Sequence, residues 1–297
     1  MAEGSIKLSE WLDGEMTDRL DAATQAMMQT NQANWDARTP VHVASQFYGL
    51  DGAKDPFYWF AEFEWEDLGE LEGRDVLHLQ CHLGTETIAF AHKGARTVGL
   101  DFSAEAVTQA RQIAQQAGVE VEYVQSNVYD AVSALGGRRF DVVYTGKGSL
   151  AHLPDVHRWA AVAAKLLRPD GRLYVVEFHP LLGALDHTAQ QGAGLDLVLD
   201  KDYLEGRGAQ ECEATYTYTD GPAVQGATVA YQWAHSIGEV VNALLGVGLR
   251  ITRLRETTAV PWRQWEEMVP TDNGWWQFPD NAPRVPLLYA LRASKEE

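Results

Sequence analysis

The sequence predicts a doubly wound α/β fold, and three observations carry that expectation. Between residues 73 and 180, short apolar strand candidates alternate with helical patterns. Capping residues punctuate the alternation, with Ser103 as a clear example. A chain of 297 residues that is 45% hydrophobic can bury one large core, or a core with a cap. Strands separated by helices imply right-handed crossovers and a parallel sheet covered on both faces.

The first region, residues 1–72, is polar and aromatic by turns and reads as an N-terminal helical cap, with helices near 14–36 and 55–68. Pro40 disfavours helix at the residue before it, so the segment around Arg38-Thr39-Pro40 is expected to break the two apart. In the central region, Asp75–Gln80 is a first strand, followed by a helix from about 85 to 93. Arg96–Leu100 is a second strand, and Ser103 caps the helix after it, with Glu105 favourably placed against the helix dipole. Glu120–Gln125, Phe140–Tyr144 and Arg172–Phe178 follow as strands three to five, with a helix at about 155–167.

Beyond residue 180 the texture changes. Residues 181–235 read as an insertion with a β-hairpin, because Glu213–Thr219 and Ala227–Trp233 alternate with period two around Asp220-Gly221-Pro222. Residues 236–297 complete the sheet. Ser236 and Glu239 have capping-box spacing before an apolar helix ending near Gly246 or Gly248, and Leu249–Arg255 and Val285–Arg292 form two last strands.

Charge narrows the function. Lysine and arginine total 24 against 42 acidic residues, a net charge of -18 that repels phosphate backbones and anionic membrane faces. Nucleic acid and membrane are therefore not expected partners. The two cysteines, Cys81 and Cys212, lack metal-type spacing and suit a reducing cytoplasm. Residues 1–20 show no signal-peptide pattern, and no run reaches the roughly 18 apolar residues of a membrane span.

Ligands of an open α/β sheet bind beyond the carboxyl ends of the strands, where strand order reverses. After strand one, Gln80-Cys81-His82-Leu83-Gly84 leads into a helix N-terminus, where a glycine allows close approach and helix amides suit a carboxylate or hydroxyls. Asp101 ends strand two, seventeen residues beyond Gly84, and can accept hydrogen bonds from both ribose hydroxyls. Asn127 with Val128, and Thr145 with Gly146, follow strands three and four, the first able to meet an adenine amino group and the second to pass close to a cofactor. The absent G-x-G-x-x-G fingerprint argues against a nicotinamide cofactor.

These segments carry a family resemblance. Val76–Gly84 resembles the first motif of class I S-adenosylmethionine-dependent methyltransferases, and Leu100–Ser103 resembles their second strand end. Phe140–Tyr144 is similar to their fourth strand, Leu167–Arg172 to the turn into strand five, and Gly238–Arg255 to the last helix and sixth strand. The chain departs from the family at His78, Gln80 and His82, which stand where an acidic residue and two glycines are usual. A bacterial subgroup with a His-Leu-Gln-Cys-His stretch shares that departure. The resemblance implies a Rossmann-like seven-stranded sheet with an antiparallel last strand. It also implies S-adenosylmethionine as cofactor, giving S-adenosylhomocysteine, with Gln80, Cys81, His82, Gly84, Asp101, Phe102, Asn127, Val128, Thr145 and Gly146 around it.

Methyl transfer is an in-line displacement that needs alignment and exclusion of water, and a general base only where the nucleophile must lose a proton. By resemblance the acceptor lies where His152, Glu177 and His179 follow strands four and five, making these the catalytic candidates; nothing enforces metal geometry on them, so no metal is expected. Nine of the ten tryptophans lie outside the central region. They pack the flanking segments onto the sheet, or they line an aromatic lid over a small-molecule acceptor. Trp35, Tyr48, Tyr231, His235 and Trp275 are the substrate-site candidates on the second reading. Three alternatives remain open: a non-catalytic protein that binds S-adenosylmethionine, an NAD-dependent oxidoreductase, and methylation of a macromolecule, protein or RNA, which the charge disfavours for RNA only.

Overall fold

The computed structural model describes residues 20–52, 54–185 and 197–295. Helix α1, Ala22–Ala44, is capped by Asp21, whose carboxylate accepts from the Thr24 amide. A 3-10 turn at Pro56–Trp59 and helix α2, Glu62–Leu68, lead to the sheet. The strands are β1 Asp75–Leu79, β2 Arg96–Asp101, β3 Val121–Gln125, β4 Phe140–Thr145 and β5 Leu167–Phe178. Between them lie helices α3 Thr85–His92, α4 Ala104–Gln116, α5 Ala131–Ala134 and α6 Val156–Leu166. After β5 come α7 Pro180–Ala184, a hairpin of β6 Gln210–Glu213 and β7 Val229–Gln232, α8 Ile237–Gly246 and β8 Leu249–Thr257. The two-residue strands β9 Val269–Pro270 and β10 Trp276–Gln277 pair with each other before β11, Leu288–Lys295.

One sheet of seven strands has the order β3-β2-β1-β4-β5-β11-β8. Strands β1 to β5 are mutually parallel, while β11, last in sequence, inserts antiparallel between β5 and β8. Strand order reverses between β1 and β4, which opens the crevice of a doubly wound fold beside Leu79 and Thr145. Alternation within β1 divides the core. Leu77 and Leu79 face α6 and α8 through Trp159, Ala163 and Leu244, whereas Val76 faces Phe90, Leu68 and Tyr144 on the other side. At the pole opposite the crevice, Asp75 and Asp141 both bind Arg168, closing the amino ends of the strands.

Three local expectations differ from the structure. Pro40 lies inside α1, which continues to Ala44, because Asn31 ties the middle of the helix to Tyr231 and Asp220 holds the amides just past its C-terminus, and these tertiary contacts outweigh the missing amide. Of the 14–36 segment, residues 14–19 lie outside the described region. The hairpin's first arm is 210–213, not 213–219. The Thr-Tyr-Thr-Tyr-Thr run is instead drawn over the end of α1: Thr217 bonds His42, Tyr218 bonds Tyr48, and Asp220 accepts from the Gln46 and Phe47 amides. Strand β5 also begins at Leu167 rather than Arg172, with a register irregularity against β4 and a left-handed Asp170.

Candidate active site

The turn after β1 keeps a glycine-like backbone without the glycines. Gln80, His82 and Gly84 have φ values of 58°, 47° and 72°. Left-handed backbone at a residue with a Cβ costs about 1–2 kcal/mol, so two such residues in one turn mark a functional segment. Their side chains are committed. The Gln80 Nε2 donates to the Ser149 carbonyl at 3.0 Å, and its Oε1 is buried with no partner. His82 Nε2 lies 2.8 Å from His42 Nδ1. Gly84 is required for a second reason: a Cβ there would strike the Tyr123 hydroxyl. His78 is fully enclosed, bonded to Thr87 at 2.8 Å and stacked edge-on to Tyr144, and burial lowers its pKa to about 4.

Asp101 ends β2 with a 5% exposed carboxylate that accepts the His82 amide at 2.8 Å and the Ser103 amide at 2.9 Å. Each oxygen keeps a further lone pair for a ligand hydroxyl. Burial pushes its pKa up to about 6, while those amides oppose the rise. Phe102, Met28 and Val128 supply apolar walls beside it. Asn127 caps the following turn through Tyr129 at 3.0 Å.

The loop after β4 is held by Glu177 at the end of β5. That carboxylate accepts the amides of Gly148, Ser149, Leu150 and Phe178, the second and third at 2.8 Å and the last at 2.7 Å. Burial pushes its pKa up to about 7 in spite of those donors. Lys147 turns away and forms a buried pair with Glu64 at 3.0 Å, tying the same loop to α2. His152 follows. Its Nδ1 is buried without a partner. Burial, with Arg38 nearby, holds its pKa down at about 4, so the ring is neutral and presents a free lone pair.

Helix α1 and the hairpin form the roof. Asn31 exchanges two hydrogen bonds with the Tyr231 backbone, at 2.9 and 2.7 Å, and Asn34 donates to the Ala227 carbonyl at 2.8 Å. Beneath them Trp35 meets His42, His82 and His152 edge-on, with centroids 5.1–5.9 Å apart. Burial brings His42 to about 2 and His82 to about 3, so all three rings are uncharged.

These parts enclose a cavity of 540 Å³. It is lined by Gln80, Cys81, His82, Asp101, Phe102, Asn127, Val128 and Gly146 among the expected cofactor residues, and by His152, Glu177 and His179. Trp35, Tyr48 and His235 line it as well. Four expected residues do not. Gly84 packs under Tyr123, and Thr145 is fully buried within the sheet. Tyr231 turns its hydroxyl outward to Glu211, and Trp275 is 1% exposed in the core with its indole on the Tyr58 carbonyl. Trp59, Trp233 and Trp262 line the cavity instead; Trp11 lies outside the described residues.

Hydrogen bonding separates the histidines. His179 Nδ1 accepts the Leu181 amide at 3.1 Å as the N-cap of α7, which leaves Nε2–H for Glu256 at 2.9 Å; both nitrogens are occupied. His235 reaches Glu239 at 2.7 Å and the Leu153 carbonyl at 2.8 Å, two acceptors that together call for the protonated ring, and its pKa is raised despite burial. Arg38, His42, Glu86 and Tyr218 were missed at the sequence level. Arg38 and His42 share the Trp35 face of α1, spaced three and seven residues beyond it, a signal hidden by reading Pro40 as a helix break.

Residues 77–173 match a family described as a methyltransferase domain. The ubiquinone biosynthesis O-methyltransferases of Erwinia tasmaniensis and Salmonella paratyphi A are 32% and 33% identical over 136 residues, 44% of this chain. The chain spans about half the length of those curated relatives, 55% in both cases. Among solved structures, an S-adenosylmethionine-dependent methyltransferase from Mesorhizobium loti aligns with TM-score 0.54 and 20% identity, covering 83% of this chain and 100% of that one. Another from Clostridium acetobutylicum aligns with TM-score 0.52 and 12% identity, over 83% and 94%. At those identities the structural likeness concerns the fold.

Proposed function

We propose that this chain is a class I S-adenosylmethionine-dependent methyltransferase that transfers a methyl group from S-adenosylmethionine to a small molecule held in the same cavity, a reading supported by the methyltransferase-domain match over residues 77–173 and by the relatives and fold described above. The observation that carries the reading is the continuity of that cavity. One wall has the Asp101 carboxylate and the apolar Phe102 and Val128; another has the free imidazole nitrogen of His152 among aromatic rings. Its 540 Å³ suits small molecules rather than a polymer.

The residues present fit the cofactor. Asp101 has lone pairs for two ribose hydroxyls, and the buried Gln80 Oε1 lacks a donor that a ligand can bring. Phe102, Met28 and Val128 offer a slot for a flat base. When bound, S-adenosylmethionine supplies an electrophilic methyl carbon on a sulfonium centre. The rest is done by the chain. Trp35 presents an aromatic ring where positive charge is favoured. Glu177 is a positioning residue, fixing the amides of residues 148–150 so that His152 is held in place. His152, whose Nδ1 is buried without a partner, takes the proton of a hydroxyl or similar nucleophile. The described parts of residues 1–72 and 181–235, with α1 and the β6–β7 hairpin at their centre, serve as the cap that excludes water.

Calorimetry with S-adenosylhomocysteine, on wild type and Asp101→Ala, tests this directly. Micromolar binding to wild type, lost in the variant, followed by methyl transfer to phenols in a mass-spectrometric screen, is expected. A folded wild type that binds no S-adenosylhomocysteine removes the proposal.

A further inference from the structure

Resting on that reading, we propose that Arg38 is the receptor for a carboxylate carried by a ligand in this cavity. Arg38 lines the cavity from α1, and its guanidinium lies 5.7 Å from the centre of the Trp35 ring. It makes no hydrogen bond or ion pair with any described residue, and its Nε is buried without a partner. A guanidinium with its donors idle is costly to hold away from water.

Charged neighbours in the cavity wall are already committed. Asp101 and Glu177 take backbone amides and Asp202 takes Arg207, while Lys147 and His235 of the wall are paired with Glu64 and Glu239 behind it. Glu86 accepts the Thr85 hydroxyl. In a chain with 42 acidic residues, none of the described ones is placed against Arg38. The three rings nearest it electrostatically, His42, His82 and His152, are neutral, and of the other cations lining the cavity Lys147 is paired with Glu64, His235 with Glu239, and Lys201 is exposed. One idle planar cation matches a monoanion bound side-on through two oxygens, as a carboxylate is. A phosphate dianion would call for further cations beside Arg38, where Lys147 is consumed by Glu64.

Two molecules can bring that carboxylate: the methionyl end of the cofactor, or an acidic acceptor. Wild type, Arg38→Gln and Arg38→Lys, each checked for an unchanged melting temperature, are titrated with two probe pairs. The first pair is S-adenosylhomocysteine and 5′-methylthioadenosine, which lacks the amino acid. The second is 4-hydroxybenzoate and 4-hydroxybenzamide, with and without S-adenosylhomocysteine present. The expected result is a loss of tenfold or more in Arg38→Gln for the carboxylate-bearing member of at least one pair. The uncharged member should stay within threefold, and Arg38→Lys should recover part of the loss. The pair that responds identifies the source. Unchanged binding of all four probes, or an equal loss for all four, overturns the proposal. A wild type that ignores both nucleosides removes the function proposed above instead, and the acid and amide pair still decides for or against Arg38.

Discussion

Single residues set the pH behaviour of the site, and the three rings around Trp35, His42, His82 and His152, do not titrate near neutrality. His152 is lowered to about 4 by burial, so its base form is already complete at pH 5 and above. Replacing it with alanine should cut kcat by about 100-fold or more for an acceptor that must lose a proton, a size typical of general-base loss. Asp101 is the group that changes in the working range. Its pKa is raised to about 6, so the carboxylate that accepts ribose hydroxyls is lost as pH falls through that value. Calorimetry should show S-adenosylhomocysteine affinity falling between pH 7 and 5 in wild type, with Asp101→Asn weak and flat across that range. A wild-type profile as flat as the variant's would remove Asp101 from ribose binding. Gln80 and His82 add a sequence-level lesson. The residue types alone obscured the glycine-like turn, because the positive φ values that define it are a property of the backbone and not of any letter.

At the scale of elements, two contacts hold the roof. Asn31, wholly buried, pairs with both backbone groups of Tyr231 and so joins α1 to β7. Asn31→Ala leaves those groups unsatisfied and should cost about 2–3 kcal/mol if the roof unfolds with the rest. Hydrogen exchange should then rise in 22–44 and 229–232 before the sheet responds. His235 ties α8 to the loop after β4 through Glu239 and the Leu153 carbonyl. Its folded pKa lies above the ordinary 6.5, so its contribution is fully present below pH 6.5 and lost as pH rises through the folded value. The melting-temperature gap between wild type and His235→Gln should therefore be widest at pH 6 and shrink at higher pH. Ser236 illustrates what spacing can and cannot say. It caps α8 through the Glu239 amide at 3.1 Å as the pattern predicts, but the Glu239 side chain leaves the box for His235.

For the whole molecule, the cavity joins sheet, α1 and insertion, so occupancy should stabilise all three together. At a hundred times its Kd, a ligand that binds only the folded state adds about 2.7 kcal/mol. S-adenosylhomocysteine should thus raise the melting temperature and protect α1 with residues 214–222 from hydrogen exchange; protection confined to the sheet would separate the roof from the ligand. The sequence by itself determined the alternation of strands and helices and the strand-end residues Asp101, Asn127, Gly146 and His152. Those are local matters of apolar periodicity, capping and turn chemistry, which neighbouring residues settle among themselves. Only the tertiary structure decided that α1 runs through Pro40, that Thr217 and Tyr218 leave the hairpin for its far end, and that Trp275 is core while Trp262 lines the cavity. Those outcomes depend on contacts between segments as far as 200 residues apart, such as Asn31 with Tyr231. The same distance explains why Arg38 carried no signal: a cation reads as ordinary until the fold shows that nothing among the described residues pairs with it.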